Sequence, residues 1–140
     1  MNKIFLDTNV VLGFLLDRNP FSDDIAEIFE ITNTLSISRC VSSLTIANVN
    51  YIISRIEDRQ KAILKTRKLL KLVDAENVGK SVIVNSVISN FKKIEDGIQN
   101  FSAEESNHKI IITRNVKDFK FSKLAILNPT EYLVKIRNGL

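Results

Sequence analysis

The 140-residue sequence contains one cysteine, one histidine, two prolines and four glycines. A single thiol, Cys40, cannot form an internal disulfide, which sets aside disulfide-stapled secreted scaffolds and favours a cytoplasmic setting. Unbroken apolar runs such as Ile110 to Ile112 fall far short of the roughly 20 residues that a membrane span requires. Met1-Asn2-Lys3 leads straight into a strand-like segment with no apolar h-region, so no secretory signal is expected. Glycine is too sparse for a phosphate-binding loop: Gly79-Lys80-Ser81 ends like one, but position 74 is aspartate. Asp7-Thr8-Asn9 lacks the second acid of the DxDxT phosphatase signature. His108 has no cysteine or acid at metal-ligand spacing, and reads as a strand-entry residue. No Ser-His-Asp arrangement suggests itself, and Cys40 reads as a small buried hydrophobe.

What is present is ordinary in bulk and uneven in detail. Hydrophobic residues make up 44% and charged residues 26% of the chain, the profile of a globular domain long enough to bury a core. The net charge of +4 is concentrated: seven of the 20 basic residues lie between Arg55 and Lys71, against only Glu57 and Asp58. A basic helix attracts phosphate backbones, although a solvated helix face is the commoner explanation of such a run.

Residue periodicity gives the order of elements. Lys3 to Asp7 reads as a buried strand ending in an acid. Thr8 and Asn9 start a helix carrying Val10, Val11, Phe14 and Leu15 at helical spacing, and Asn19-Pro20 ends it. A second helix opens at Ser22 with the stripe Ile25, Ile28, Phe29 and Ile31. Ser36 to Val41 reads as a strand. Ser42 and Ser43 then cap a helix carrying Leu44, Ala47, Tyr51 and Ile52. Ile56, Ile63 and Leu70, with Ala62, Leu69 and Val73 alongside, are expected to form the inner face of the basic helix. Helices follow over about 79–89 and around Ile94, Ile98 and Phe101. His108 to Thr113 is a β-branched run suited to a strand buried on both faces. A short strand at Ala125-Ile126-Leu127 precedes a terminal helix that begins at Asn128-Pro129-Thr130. Tyr51 and Phe119 are candidates to stack on bases, with core packing the commoner role. The alternation implies one α/β domain over residues 1–140, a central parallel sheet of four or five strands with helices on both faces in three layers.

In open α/β sheets ligands bind beyond the carboxyl ends of the strands. Asp7 ends the first strand, Asp118 follows the Ile110–Thr113 strand, and Asp96 lies in the first turn of the helix that feeds it. Each has a structural explanation alone: a helix cap, a dipole partner, a turn residue. Together they place three acids at one sheet edge, where they repel one another unless a cation neutralises them. Oxygen ligands without a Cys/His set suit Mg²⁺ or Mn²⁺, and such ions promote in-line attack on a phosphodiester.

Ile4-Phe5-Leu6-Asp7-Thr8-Asn9-Val10 resembles the opening motif of PIN-domain proteins, which include the toxin ribonucleases of VapBC-type toxin–antitoxin pairs. Ser43-Leu44-Thr45-Ile46-Ala47-Asn48 falls where that family places its second motif. Glu95-Asp96-Gly97-Ile98-Gln99 resembles its later acidic motif, and Ile111-Ile112-Thr113-Arg114-Asn115-Val116-Lys117-Asp118-Phe119 its final strand and turn. All four occur in the family's order over nearly the whole chain.

The resemblance implies a metal-dependent endoribonuclease. Asp7, Asp96 and Asp118 would be the catalytic metal ligands for Mg²⁺ or Mn²⁺, and Thr8, Asn9 and Thr113 the hydrogen-bonding residues around them. Arg59, Lys65 and Lys68 of the basic helix, and Arg114, are the candidates to contact RNA. A cognate antitoxin and a homodimer are the expected protein partners, with no membrane association. Two positions depart from the family: Asn48 stands where it usually has glutamate, and Asn115 where many members have aspartate. Asparagine offers a hard cation a neutral oxygen but adds no charge and cannot act as a base. A catalytically weak or inactive RNA- or protein-binding domain is therefore the alternative reading.

Overall fold

In the computed structural model, which describes residues 2–139, five short parallel strands form one sheet in the order β3-β2-β1-β4-β5. β1 (Lys3–Leu6) is central, flanked by β2 (Ser38–Ser42) and β4 (Ile110–Ile112); β3 (Asp74–Glu76) and β5 (Ala125–Leu127) are the edges. Register is set by the pairs Phe5↔Cys40, Phe5↔Ile111, Cys40↔Asp74 and Ile112↔Leu127. Seven α-helices among the described residues connect the strands: α1 (Thr8–Leu15), α2 (Phe21–Thr34), α3 (Ser43–Ile56), α4 (Arg59–Leu72), α5 (Lys80–Ile88), α6 (Ile94–Glu105) and α7 (Pro129–Asn138). A 3₁₀ turn at Val116–Phe119 follows β4. The three-layer α/β architecture expected from the residue pattern is the one observed.

Alternation along the strands feeds two separate cores, because successive side chains point to opposite sheet faces. Ile4, Leu6, Val41 and Ile112 pack with residues of α1, α2, α3, α4 and α7. Phe5, Cys40 and Ile111 face the other way, against Phe91, Ala103 of α6 and Phe119 of the 3₁₀ turn. Phe5, Leu6, Ile111 and Ile112 are all fully buried, and each such side chain stabilises the fold by about 1.5–3 kcal/mol relative to exposure. Helix starts are capped from sequence as the chemistry demands: Ser42 Oγ accepts from Thr45 N, Asp58 from Lys61 N, and Asn128 forms a reciprocal capping box with Glu131. No helix among the described residues is long and apolar enough to cross a membrane.

Several expectations need correction. Ile56, Ile63 and Leu70 do not line the inner face of the basic stretch; they are exposed, whereas Ala62, Leu69 and Val73 are buried. The stretch is not one helix either, since Ile56 ends α3 and Asp58 restarts the chain as α4. On α3 the buried set is Thr45, Val49 and Ile53, while Ala47 and Tyr51 are exposed. A buried threonine heads that stripe, for the reason given below, and disguises it as polar. Asp74–Glu76 is a third strand where no strand was expected, a three-residue edge element with two charged side chains. The β4 strand is shorter than His108–Thr113, because the His108 amide still bonds back to Ala103 at the end of α6. On α5, Ile83, Val84, Val87 and Ile88 are exposed.

Candidate active site

β1 delivers Asp7, the residue just past its last strand position, buried to the carboxyl edge of the sheet. Its backbone amide donates to Ile112 O at 2.9 Å, continuing the β1–β4 pairing by one residue. Its side chain caps α1, Oδ1 accepting from Thr8 N at 2.8 Å. Oδ2 accepts from Thr113 Oγ1 at 2.7 Å, and Thr113 Oγ1 in turn accepts from Asn115 N at 3.1 Å. Both carboxyl oxygens are thus engaged, Oδ1 in capping α1 and Oδ2 by Thr113. At 6% exposure the carboxyl is pushed above its ordinary range by burial, against the pull of the two hydrogen bonds, with Asp118 and Glu95 adding repulsion.

Asp96 stands half-buried in the first turn of α6, three residues after an exposed Lys92-Lys93 pair that precedes the helix. Its carboxyl is raised from 3.8 to about 6, first by burial and then by the charges of Asp7 and Asp118; Lys93 opposes the shift. Asp118 lies exposed on the 3₁₀ turn, its amide bonded to Asn115 O at 3.0 Å. The fold therefore brings all three acids, with Glu95, within electrostatic reach of one another. No salt bridge among the described residues neutralises any of them. Their oxygens do not form a group lying wholly within 4.8 Å. Direct caging of one ion by all three is not the arrangement seen.

Beside Asp7 lies a hydroxyl–amide hub that joins Thr8, expected at the site, to Thr45 and Gln99, which were not among the expected site residues. Thr8 Oγ1 and Thr45 Oγ1 are 2.8 Å apart, and Gln99 Nε2 donates to both, at 3.0 and 2.8 Å. This is why Thr45 heads the buried stripe of α3: its hydroxyl ties α3 to α1 and α6. Gln99 Oε1 is buried with no partner. Asn48, one turn beyond Thr45, is half-buried on α3, and i to i+3 spacing puts it on the same helical side as that hub. Asn9 Oδ1 accepts from Arg114 N at 3.3 Å, fastening the turn after β4 to α1. Asn115 is exposed and starts the 3₁₀ turn without a side-chain cap bond.

Asp96 and Asp118 line a cavity of about 480 Å³ whose other walls are Lys92, Lys93, Lys117, Lys120 and Phe121. Four lysines surround the acids, and sequence reasoning singled out none of them. The signal was available, because Lys92 and Lys93 lie just upstream of the acidic motif and Lys117 and Lys120 lie on either side of Asp118. The basic residues chosen from sequence are placed otherwise. Lys65 pairs with Glu57 at 2.7 Å, Lys68 sits over the Phe14 ring at 5.0 Å, and Arg114 stacks over Phe21 at 3.7 Å. Arg59 is exposed at the start of α4. Phe119 is core, and Tyr51 is exposed with Arg55 over its ring.

A parallel sheet with acids gathered at its carboxyl edge is the arrangement of the PIN domain, and the family model for that domain matches residues 3–117. The chain belongs to the PIN domain family. It is similar to Ribonuclease VapC1 of Aquifex aeolicus, 24% identical over 135 residues that cover 93% of this chain and 92% of that protein. Its fold is shared with a chain of the VapBC2 complex of Rickettsia felis bound to a promoter DNA fragment, at a TM-score of 0.70 and 18% identity, covering 90% of this chain and 98% of that one. A chain of DNA-bound VapBC from Salmonella typhimurium aligns with a TM-score of 0.71 and 15% identity, over 92% of this chain and 99% of that one.

Proposed function

We propose that this protein is a divalent-metal-dependent endoribonuclease, the cytoplasmic toxin of a toxin–antitoxin pair whose cognate antitoxin restrains it. The observation that carries the reading is uncompensated charge. Burial raises the carboxyls of Asp7 and Asp96 and Asp118 repels both, and Asp96 and Asp118 line a cavity rimmed by lysines. The similarity to a protein named as a ribonuclease, and to chains solved within VapBC complexes, supports the same reading.

The donor set fits the implied ion. It is all oxygen, and Mg²⁺ or Mn²⁺ needs only one or two direct carboxylates while reaching others through retained water, which suits acids too dispersed to cage an ion directly. Asp7, Asp96 and Asp118 would hold it. When bound, it neutralises the acids and supplies Lewis-acid polarisation of a phosphoryl oxygen. The protein's own part is orientation and charge. Thr113 Oγ1 and the Thr8 amide fix the rotamer of Asp7. The Thr8–Thr45–Gln99 hub holds α1, α3 and α6 in one frame, so that Asp7 and Asp96 keep their separation. Lys92, Lys93, Lys117 and Lys120 attract the RNA backbone and offset phosphate charge next to the acids.

The test is cleavage of a mixed RNA pool by the purified chain, with Mg²⁺ or Mn²⁺ and after chelation. The reading expects cutting that needs the ion and is lost in Asp7→Asn, a substitution that retains helix-capping ability. Cleavage that survives chelation, or that Asp7→Asn leaves intact, would overturn it.

A further inference from the structure

Sequence spacing left His108 without metal-binding company, but the fold supplies it. Cys40 Sγ, a carboxylate oxygen of Glu76 and a ring nitrogen of His108 all lie within 4.8 Å of one another. They come from β2, from β3 and from the α6–β4 junction. Cys40 and Glu76 share a sheet face, since Cys40 pairs with Asp74 and Glu76 lies two residues further along β3. Among the described residues, no other trio of His, Cys, Asp and Glu is so gathered.

A second and independent observation comes from the imidazole. His108 is 3% exposed, and its Nε2 has no hydrogen-bond partner, an expensive omission for a buried polar atom. Its Nδ1 lies 2.8 Å from Ser106 Oγ. The one proton of that hydroxyl is directed to Ser102 O at 2.7 Å, so Oγ accepts from Nδ1–H. The tautomer follows: Nε2 carries a lone pair with nothing to receive it. A carbonyl or hydroxyl holding Nδ1–H while Nε2 stays bare is the outer-shell arrangement of histidine metal ligands.

We propose that Cys40, Glu76 and His108 form a second metal site, separate from the acidic edge of the sheet, that takes a borderline-soft divalent ion such as Zn²⁺. Thiolate, imidazole and carboxylate are the ligand types zinc accepts, at about 2.0–2.3 Å each, so the three atoms need only small rotations to converge. Glu76 is half-buried and leaves an approach from solvent. Binding transfers the Cys40 proton to solvent. Asp74 and Glu76 favour a cation here, and Lys3, whose ammonium bonds to Ser106 O, opposes it. An ion at this place would tie the β3 edge to the sheet interior and to the end of α6.

The experiment uses the full chain, reduced and stripped by chelation, titrated with Co²⁺ and then with Zn²⁺ in competition. A thiolate-to-cobalt charge-transfer band at one equivalent, displaced by Zn²⁺, is the expected result. Cys40→Ala should abolish the band and Glu76→Gln should weaken binding, while Ser106→Ala should lower affinity by roughly 10–100-fold through loss of imidazole orientation. Asp96→Asn should leave the band intact, which separates this site from the proposed nuclease centre. Absence of the band in the natural protein, its survival in Cys40→Ala, or unchanged affinity in a folded Glu76→Gln protein would each overturn the proposal.

Discussion

Replacing Asp96 with asparagine removes a charge that the fold holds at a disadvantage. The carboxyl is displaced from 3.8 to about 6, so the folded state binds its proton more tightly than the unfolded state does. Ionisation therefore opposes folding. The penalty is absent below 3.8, grows as pH rises toward 6, and is complete above it. The full displacement corresponds to ~3 kcal/mol. Asp96 is only half-buried, and solvent screening leaves about 1 kcal/mol. For a chain of this size that is a rise in Tm of roughly 2–4 °C. Thermal unfolding followed by circular dichroism, on metal-free protein, should show Asp96→Asn more stable than the natural protein near neutral pH, and the two indistinguishable at about pH 3.5, below the ordinary carboxyl range. Excess divalent ion should erode the difference by stabilising the natural protein. A variant that is no more stable at neutral pH, or equally more stable at both, would refute the account of Asp96 as a carboxylate disfavoured by burial and by its acidic neighbours.

The packing of α4 makes a sharp contrast between neighbours: Leu69 is fully buried and Leu70 is 53% exposed. Leu69→Ala should cost about 2–4 kcal/mol in urea unfolding, and Leu70→Ala within about 0.5 kcal/mol of nothing. Gly97 lies where α6 meets α5, and an added Cβ would sit 3.0 Å from Ser86 Cβ and 3.2 Å from its Cα. Gly97→Ala should destabilise by about 1–3 kcal/mol in the same assay, since a backbone atom cannot rotate away. Asn48→Glu should raise Mn²⁺ affinity by about tenfold, or ~1.4 kcal/mol, measured by calorimetry; an unchanged affinity would show that position 48 does not face the ion.

Legibility from sequence followed how local each determinant was. Asp7 was readable because strand, acid and capping pair are contiguous, and its structural partner Thr113 lay inside the clearest β-branched run. The inner face of α4 was only half readable, because the segment offers two apolar stripes and only packing against α3 chooses between them. Thr45 was hidden for a different reason: a buried hydroxyl satisfied by Gln99 looks polar in any pattern of apolar spacing. The β3 strand carries two charges in three residues, so its pairing to Cys40 owes nothing to its own composition. The nearness of His108 to Cys40 and Glu76 was not legible because sheet register brings them together, which no sequence spacing displays. The lysines around Asp96 and Asp118 lie close to the motifs in sequence, but the denser Arg55–Lys71 run masks them as a charge signal.

The closeness of α5 and α6 at Gly97 has a mechanical meaning for its neighbour in sequence. With no side chain as a spacer, the two helices meet backbone against Ser86, and a rigid junction of this kind transmits displacement without absorbing it. Asp96 is the next residue, so its carboxyl rides on that junction as the short arm of a lever. A change in the α5–α6 spacing would therefore be felt first at Asp96, in the same turn of α6.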